Sequence, residues 1–302
     1  MTQLAQPRRR RTGGEKLIRA LCVAPPLILL AALVGYPLVE TVITSFTRST
    51  FIQPDAVFVG LKNFATLLGG AEFWSVVLNS LIWTVLVVVL QFVLGMLAAI
   101  LMNQRFAGRA ALRVAVIIPW VMPGIIAGVV WKLVYDPYLG PLNALLGDLG
   151  LISGNPAWLG SSGTALLAVI VAAVWKGFPL SAIMYLAAYQ GVPQELREAA
   201  RLDGASRWGE FVHVTLPSMA STIRTTVLLT TVWTFNYFDL VYVMTKGGPG
   251  VSTEIFPTVV YRQAFQEVNY GLAAAYGVVS VLVLSTFTVL YLRQLNKAGV
   301  TK

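Results

Sequence analysis

Six long apolar runs dominate this 302-residue sequence and constrain its fold more than any other feature. A helix needs roughly 20 apolar residues to cross the hydrocarbon core of a bilayer. The composition agrees, because 57% of the residues are hydrophobic and 12% are charged, whereas a soluble domain carries about 25% charged residues. The sequence therefore predicts an all-α membrane protein with six transmembrane helices, at residues of about 20–45, 75–102, 110–134, 164–190, 219–244 and 271–292.

Prolines interrupt three of these runs: Pro25, Pro26 and Pro37 in the first, Pro119 and Pro123 in the third, and Pro179 in the fourth. Within a membrane such breaks are tolerated only where neighbouring protein or a cavity satisfies the freed backbone groups. The interrupted helices are therefore expected to pack in a bundle and to line a pathway. The pattern leaves open whether each helix kinks.

The basic residues are sorted between the two sides of the predicted bundle. With the N-terminus inside, 15 Lys and Arg residues fall in inner segments and four fall in outer loops. Inner loops of membrane proteins carry an excess of Lys and Arg, so we predict that both termini are cytoplasmic and that residues 1–19 form a basic tail. The net charge of +9 is explained by this sorting, and no nucleic-acid partner is predicted.

Side chains that could carry catalysis are few. The single cysteine, Cys22, excludes an intrachain disulfide and is expected to be a buried thiol in an apolar run. The single histidine, His213, makes no metal site alone. The glycines at 247–250 lack the Lys-Ser/Thr ending of a nucleotide-binding loop. We therefore predict no cofactor, no metal and no enzymatic activity for this chain.

A compact charged segment, "ELREAARLDGASRWGEFVHVTLP", separates the fourth and fifth runs. Pro193 suits a first helical turn, and Gly204 stands where a helix ends in the left-handed conformation. Ser206 can cap a second helix. Residues 191–218 are thus predicted to form a helix–Gly–helix unit on the cytoplasmic surface. This segment is called the coupling loop.

This loop offers small and apolar side chains ringed by charge, which is typical of a docking surface. The alternative is an amphipathic loop that rests on lipid headgroups. Glu195 and Glu198 count against it, because the inner leaflet of the membrane is anionic.

The loop also carries a recognisable spacing. Glu198-Ala199-Ala200, Gly204, Val214 and Leu216-Pro217 resemble the EAA signature of permease subunits of binding-protein-dependent ABC importers. Asp203 beside Gly204 extends the match, and Val214 replaces the usual isoleucine. Further segments resemble the carbohydrate branch of the maltose and glycerol-phosphate type: "VGLKNFATLL", "IIPWVMPGIIAGVVWKLVYDP", "GPLNALL", "VWKGFP", "FDLVYVMTKGGPGVSTE" and "YRQAFQEVNYGLAAA".

The resemblance implies an importer subunit in a bacterial cytoplasmic membrane. Glu198, Ala199, Ala200, Asp203 and Gly204 would couple it to two cytoplasmic ATPase subunits, which would bind the ATP. Its other implied partners are a second, non-identical permease and an extracytoplasmic solute-binding protein. The solute would be a sugar, an oligosaccharide or a polyol.

A second group of candidates lies near the outer end of the fifth run. Asp239 follows Trp233, Phe235, Asn236 and Tyr237, which combine aromatic faces with hydrogen-bonding groups. A carboxylate inside a membrane is costly and commonly functional, so these residues are candidates for the translocation pathway. An ordinary aromatic belt at the membrane interface is the equally weighted alternative.

Lys176 in the fourth run is interpreted mainly as structural. It would bond carbonyls freed by Pro179 or pair with an acid of the partner subunit, and contact with the solute is the less favoured role.

Two other functional classes are alternatives to an importer subunit. A secondary carrier or channel driven by an ion gradient would need coupling acids and usually internal repeats. Asp239 is the one candidate for such an acid in this sequence. An intramembrane enzyme would need a nucleophile–base pair or metal ligands within the spans.

The outer loops are also predicted to contain short helices. Residues 135–163 predict one at "LNALL", and "IFPTVVYRQAFQ" predicts an interfacial helix.

Overall fold

The computed structural model describes residues 13–49 and 56–297. Most of the predicted basic tail, up to residue 12, therefore lies outside the described residues, as does the chain beyond residue 297.

The described residues form a helical membrane protein with six spans, as predicted. Four helices are long and apolar enough to cross a membrane: Leu21–Ser45, Ala71–Asn103, Ala165–Gln190 and Tyr270–Leu295. Two further spans are bent helix pairs. The predicted six-helix architecture is confirmed, and two of the six spans are broken.

The first span stands apart from the rest of the chain. It comprises α1 (Gly13–Leu30), a π-helical turn (Ala31–Gly35) and α2 (Tyr36–Ser45). Its most apolar stretch buries no residue within this chain, although α2 packs on the last helix. Cys22 is exposed, so the prediction of a buried thiol is wrong, because none of the residues that the structure describes covers this part of the helix.

The second and fourth spans form the centre of the bundle. These helices, α4 (Ala71–Asn103) and α8 (Ala165–Gln190), pack against each other along their length. A Cβ atom on Gly95 would lie 2.6 Å from the Cβ of Ser181, so the glycine permits the close backbone approach that small residues provide between membrane helices. Pro179 lies inside α8 without breaking it.

The third span is sharply broken. Its two helices, α5 (Arg109–Val121) and α6 (Gly124–Val134), meet at an angle of 103°. Met122, which precedes Pro123, is extended with φ −68° and ψ 132°, because a proline disfavours the helical conformation in the residue before it. Pro123, which interrupts the third run in the sequence, therefore breaks the third span into two helices.

The fifth span bends at a site without proline. Its helices, α12 (Ala220–Phe235) and α13 (Asp239–Thr245), are bent by 43°. The side-chain amide of Asn236 donates a hydrogen bond of 2.8 Å to the Val232 carbonyl. Such local side-chain bonds compete with helix continuation.

Short elements connect the spans. Thr47–Arg48 (β1) pairs antiparallel with Val57–Phe58 (β2), and α3 (Lys62–Gly69) follows. The predicted "LNALL" helix is confirmed as α7 (Pro141–Asp148). The coupling loop folds into α9 (Gln194–Leu202), α10 (Arg207–Glu210), a π-helical turn (Phe211–Thr215) and α11 (Leu216–Ser218).

The segment before the last helix is helical, as predicted. The helix α14 (Phe256–Tyr261) and a π-helical turn (Arg262–Gln266) precede α15 (Tyr270–Lys297). Phe256 and Val259 are buried in a cluster with Phe73 and Tyr276. The segment is helical as expected, and its apolar side chains pack on α4 and α15. Its position at the membrane interface stays a prediction.

Candidate functional site

The first helix of the coupling loop begins and ends where the local signals predict. Pro193, expected within the first helical turn, instead lies just before α9 as its N-cap residue, with an extended ψ of 132°. At the other end, Gly204 adopts φ +83°, and the amide of Ala205 donates back to the Ala200 carbonyl at 2.9 Å. A left-handed glycine with this pattern is a common end of a helix. Gly204 therefore turns the chain from α9 into α10.

The second helix begins at the predicted cap and is tied to the first by a buried carboxylate. The amide of Gly209 donates to the Ser206 hydroxyl at 3.1 Å. Glu210, only 4% exposed, accepts hydrogen bonds from Nε of Arg197 at 2.6 Å and Nε of Arg201 at 2.8 Å. The two arginines lie one turn apart on α9, so Glu210 clamps both helices into one unit.

The electrostatics of this clamp favour the charged carboxylate. Burial alone would raise the pKa of Glu210, but hydrogen bonds from Arg197 and Arg201 outweigh burial and hold the pKa below its usual value. The pKa of Arg197 is raised, chiefly by its hydrogen bond to Glu210. Its guanidinium also lies 5.1 Å from the ring centroid of Tyr189, at the end of α8. The loop is thus attached to the fourth span.

The predicted coupling residues lie on the uncovered side of the loop. Glu198, Ala199, Asp203 and Gly204 are exposed, and Ala200 is half-buried. Beside them Leu202 is 89% exposed and Trp208 is 72% exposed. Large apolar side chains left uncovered in this way mark interaction surfaces.

A cavity of about 430 Å³ lies between the second, third, fourth and fifth spans. Its lining combines aromatic and hydrogen-bonding side chains: Gln91, Trp120, Lys176, Thr230, Trp233, Thr234, Asn236 and Tyr237, with Ala173, Gly177, Leu180 and Val232. Mostly apolar walls with a few polar groups are typical of small-molecule sites.

The structure divides the predicted pathway residues into two groups. Trp233, Asn236 and Tyr237 line the cavity. Phe235 points elsewhere and packs on Phe256, with ring centroids 5.7 Å apart. Asp239 does not line the cavity, and its carboxylate lies against Gly124.

Three further cavity residues come from other spans and were not assigned to a pathway from the sequence. Gln91 is one of few polar residues in the second run, Trp120 lies between two prolines of the third, and the sequence favours a structural role for Lys176. The polar side chains within apolar runs were the available signal. Their convergence depends on helix packing.

A second buried carboxylate lies at the segment between spans five and six. Glu254, 2% exposed, accepts hydrogen bonds from Arg262 at 2.8 and 3.0 Å. Arg262 also pairs with Glu72, at the start of α4, and with Glu267. Burial raises the pKa of Glu254, although Arg262 offsets part of this rise. Sequence analysis had not singled out these residues.

In the described part of the chain, no group of three or more His, Cys, Asp and Glu side chains is placed to hold a metal ion.

Comparison with known proteins identifies relatives of the whole chain. Residues 91–298 match the family described as binding-protein-dependent transport system inner membrane component. The trehalose/maltose transport system permease protein MalF of Thermococcus litoralis is 34% identical over 282 residues, covering 92% of this chain and 94% of that protein. The diacetylchitobiose uptake system permease protein DasB of Streptomyces coelicolor is 35% identical over 298 residues, covering 93% of this chain and 90% of that protein.

A solved structure shares the fold. A chain of a bacterial ABC transporter involved in the import of the acidic polysaccharide alginate superposes with a TM-score of 0.81 at 22% identity, covering 96% of this chain and 97% of that chain. The broken spans, the exposed helix–Gly–helix loop and these matches lead to one conclusion. The chain belongs to the family of inner membrane components of binding-protein-dependent transport systems.

Proposed function

We propose that this chain forms half of the translocation pathway of an ATP-driven importer for a sugar, an oligosaccharide or a polyol. The observation that carries this proposal is the uncovered EAA surface of the coupling loop, in a chain of the permease family. ATP hydrolysis would take place in two cytoplasmic ATPase subunits, which α9 would contact through Glu198, Ala199 and Ala200.

The clamp at Glu210 suits α9 to the role of a lever. Because Arg197 and Arg201 join α9 to Glu210, a force on the exposed side of α9 moves α10 with it. The chain then continues through a π-helical turn and α11 into α12, where Thr215 and Met219 are buried. Closure of the ATPase pair would thus tilt the fifth span beside the cavity, which is a rigid-body switch between two packings.

The chemistry of the cavity supports a saccharide. Trp233 and Tyr237 offer aromatic faces, and Asn236 offers an amide beside them. Relatives named as permeases for trehalose/maltose and for diacetylchitobiose point to the same solute class. The solute would be delivered by an extracytoplasmic binding protein, and a second, non-identical permease would complete the pathway.

The proposed placement puts the coupling loop and both termini in the cytoplasm of a bacterial cell. The excess of Lys and Arg on the coupling-loop side supports this orientation. Attachment of a cleavable reporter at each end tests it: protease added to intact cells should leave both reporters uncut, and protease added to inside-out membrane vesicles should cleave both.

Purification of the tagged chain from its native membrane tests the architecture. An ATPase subunit and a second permease should copurify, and the variant Glu198→Arg should lose the ATPase while it keeps the permease. Asp148→Arg is the matched control, since it is an equally exposed acid outside the loop, at the end of α7. A chain that purifies without an ATPase contradicts the proposal.

Uptake by membrane vesicles tests the energy source. ATP-driven uptake of labelled saccharide that vanadate inhibits supports the importer. Uptake that instead follows a proton or sodium gradient, and is insensitive to vanadate, supports a secondary carrier.

A further inference from the structure

An apolar cavity of about 380 Å³ lies at the end of the bundle away from the coupling loop. It is enclosed by the end of α6, the first two turns of α8 and the connection that holds α7. Its walls are aromatic and aliphatic and include Trp131, Tyr135, Leu142, Trp158, Ala168 and Val171. The rings of Trp131 and Tyr135 pack together with their centroids 5.2 Å apart, so they form one aromatic wall.

Three polar groups of these walls are already bonded within the chain. The hydroxyl of Tyr135 donates to the Ala168 carbonyl at 3.1 Å. The indole N–H of Trp158 donates to Oδ1 of Asn143 at 2.6 Å, and the hydroxyl of Thr164 donates to the Trp158 carbonyl at 2.7 Å. A buried water needs roughly two to four polar partners, and a saccharide would bring hydroxyls that lack them. The cavity therefore suits an apolar occupant.

The cavity is bordered by exposed apolar side chains of a membrane span. Leu167 and Val171, one turn apart in its wall, are 53% and 49% exposed. They belong to the fourth span, which is long and apolar enough to cross a membrane. Tryptophan and tyrosine are enriched at the level where headgroups meet acyl chains, and three such rings line this cavity. An acyl chain can thus enter from the membrane.

The turn that follows α6 adds an exposed apolar surface next to the cavity. The amides of Tyr138 and Leu139 both donate to Oδ1 of Asp136, at 2.9 Å each, and this fixes the turn. The side chains of Tyr138 and Leu139 are nevertheless 83% and 90% exposed. Because the turn directly follows the end of the third span, these side chains are expected at the height of the headgroups, where such residues contact lipid.

We propose that the acyl chain of a membrane phospholipid occupies this cavity, with its headgroup over the turn at Tyr138 and Leu139. The chain fills a space that water does not occupy, and it restores the van der Waals contacts that an empty cavity forfeits. It contacts α6 on one side and α8 on the other, so the bound lipid joins the third and fourth spans. This site is independent of the solute that is transported.

Tryptophan fluorescence of the assembled complex in nanodiscs tests the site. The probe is phosphatidylglycerol with brominated acyl chains, because bromine quenches tryptophan on contact. Trp131→Phe should remove part of the quenching that the wild-type complex shows. Trp175→Phe is the matched control, since Trp175 packs on Trp131 with centroids 5.7 Å apart but is not among the residues that line the cavity. It should remove less of the quenching.

A variant that fills the cavity separates a bound chain from ordinary contact with the bilayer. Ala168→Leu enlarges a wall residue and should lower the quenching to that of Trp131→Phe or below, although every tryptophan remains. Ala187→Leu is the same change at an exposed position of α8 outside the cavity, and it should leave the quenching intact. If Ala168→Leu does not assemble, Leu142→Phe narrows the cavity from α7 and replaces it.

Phospholipid retained through purification provides a second readout. Native mass spectrometry should show a phospholipid on the wild-type and Ala187→Leu complexes that the Ala168→Leu complex lacks. Equal retention, or quenching that Ala168→Leu leaves unchanged, would mean contact with bulk lipid only and overturns the proposal. If Trp131 is not quenched in the wild-type complex, protein such as a helix of the second permease covers the cavity, and the proposal is also overturned.

Discussion

Two carboxylates, Glu210 in the coupling loop and Glu254 between the last two spans, are almost equally buried and bound by arginine, yet their surroundings differ in charge. Glu210 is shared by two arginines, Arg197 and Arg201. Arg262, in contrast, is shared by three carboxylates, of which Glu254 is the buried one. The pKa of Glu210 is accordingly lowered and that of Glu254 is raised, with burial as the largest cause opposing the arginines in both.

The two clusters also differ in what they join. Arg197 and Glu210 are 13 residues apart, so this cluster closes a local unit. Arg262 and Glu72 are 190 residues apart, so that cluster ties the start of the second span to the segment before the last. The comparison shows that the charged cluster of the coupling loop joins residues close in the chain, whereas the charged cluster at Arg262 joins residues far apart in it.

The largest expected effect comes from removing the shared arginine. Arg262→Met leaves Glu254 buried without its partner, and breaking a buried pair in this way costs about 3–5 kcal/mol. The thermal unfolding midpoint of the purified complex should fall accordingly. Lys246→Met, an exposed lysine in the same connection, is the control and should have no effect. An unchanged midpoint for Arg262→Met would show that the cluster does not anchor this end.

Removing the carboxylate of the loop should cost less. Glu210→Gln leaves Arg197 and Arg201, whose side chains are 25% and 55% exposed and can be hydrated. We expect a loss of roughly 1.5–3 kcal/mol, typical of hydrogen bonds to a charged group. Hydrogen exchange should speed up in residues 194–215 and stay unchanged elsewhere. A loss as large and as global as that of Arg262→Met would contradict the local character of the loop.

Substitution of Gly204 tests the turn between the two clamped helices. No atom lies within 4 Å of a Cβ placed there, so the cost arises from the positive φ alone and is about 1–2 kcal/mol for an ordinary residue. Gly204→Val should keep the complex assembled but lower the uptake obtained per ATP hydrolysed. Gly204→Asn, which tolerates this conformation better, is the control and should lie between wild type and Gly204→Val. Equal coupling in all three would argue against the lever.

The smallest expected effect is that the contributions of Glu210 and Glu254 to folding stability change with pH in opposite directions. Because the pKa of Glu210 is lowered on folding, its contribution to stability is present above the ordinary value of 4.5 and is lost as the pH falls through the lowered pKa. The raised pKa of Glu254 reverses the sign, so its contribution is present below 4.5 and is lost as the pH rises through the raised pKa.

Unfolding midpoints between pH 7 and about pH 3 check both signs, because the loss at Glu210 falls below its ordinary pKa of 4.5. Relative to wild type, Glu254→Gln should gain stability toward pH 7, and Glu210→Gln should lose less stability toward acid. The same pH profile for both variants would show that the two sites do not differ in this way.

Local signals in the sequence were sufficient for the spans and the coupling loop. The match between the length of an apolar run and the thickness of a bilayer needs no tertiary contact. The start of α9 likewise follows from Pro193, and the turn from α9 into α10 follows from Gly204 and Ser206, each acting on its own neighbours. These features could be predicted because their causes lie within a few residues of chain.

Tertiary packing decided the remainder. Successive residues of a helix point about 100° apart, so packing alone determines that Trp233 lines the cavity while Phe235 packs on Phe256. The cavity joins Gln91, Lys176 and Tyr237 from three different spans. The sequence indicated that these polar side chains lie in the membrane. Only the packing of the helices determined which of them line one cavity, because those contacts join residues far apart in the chain.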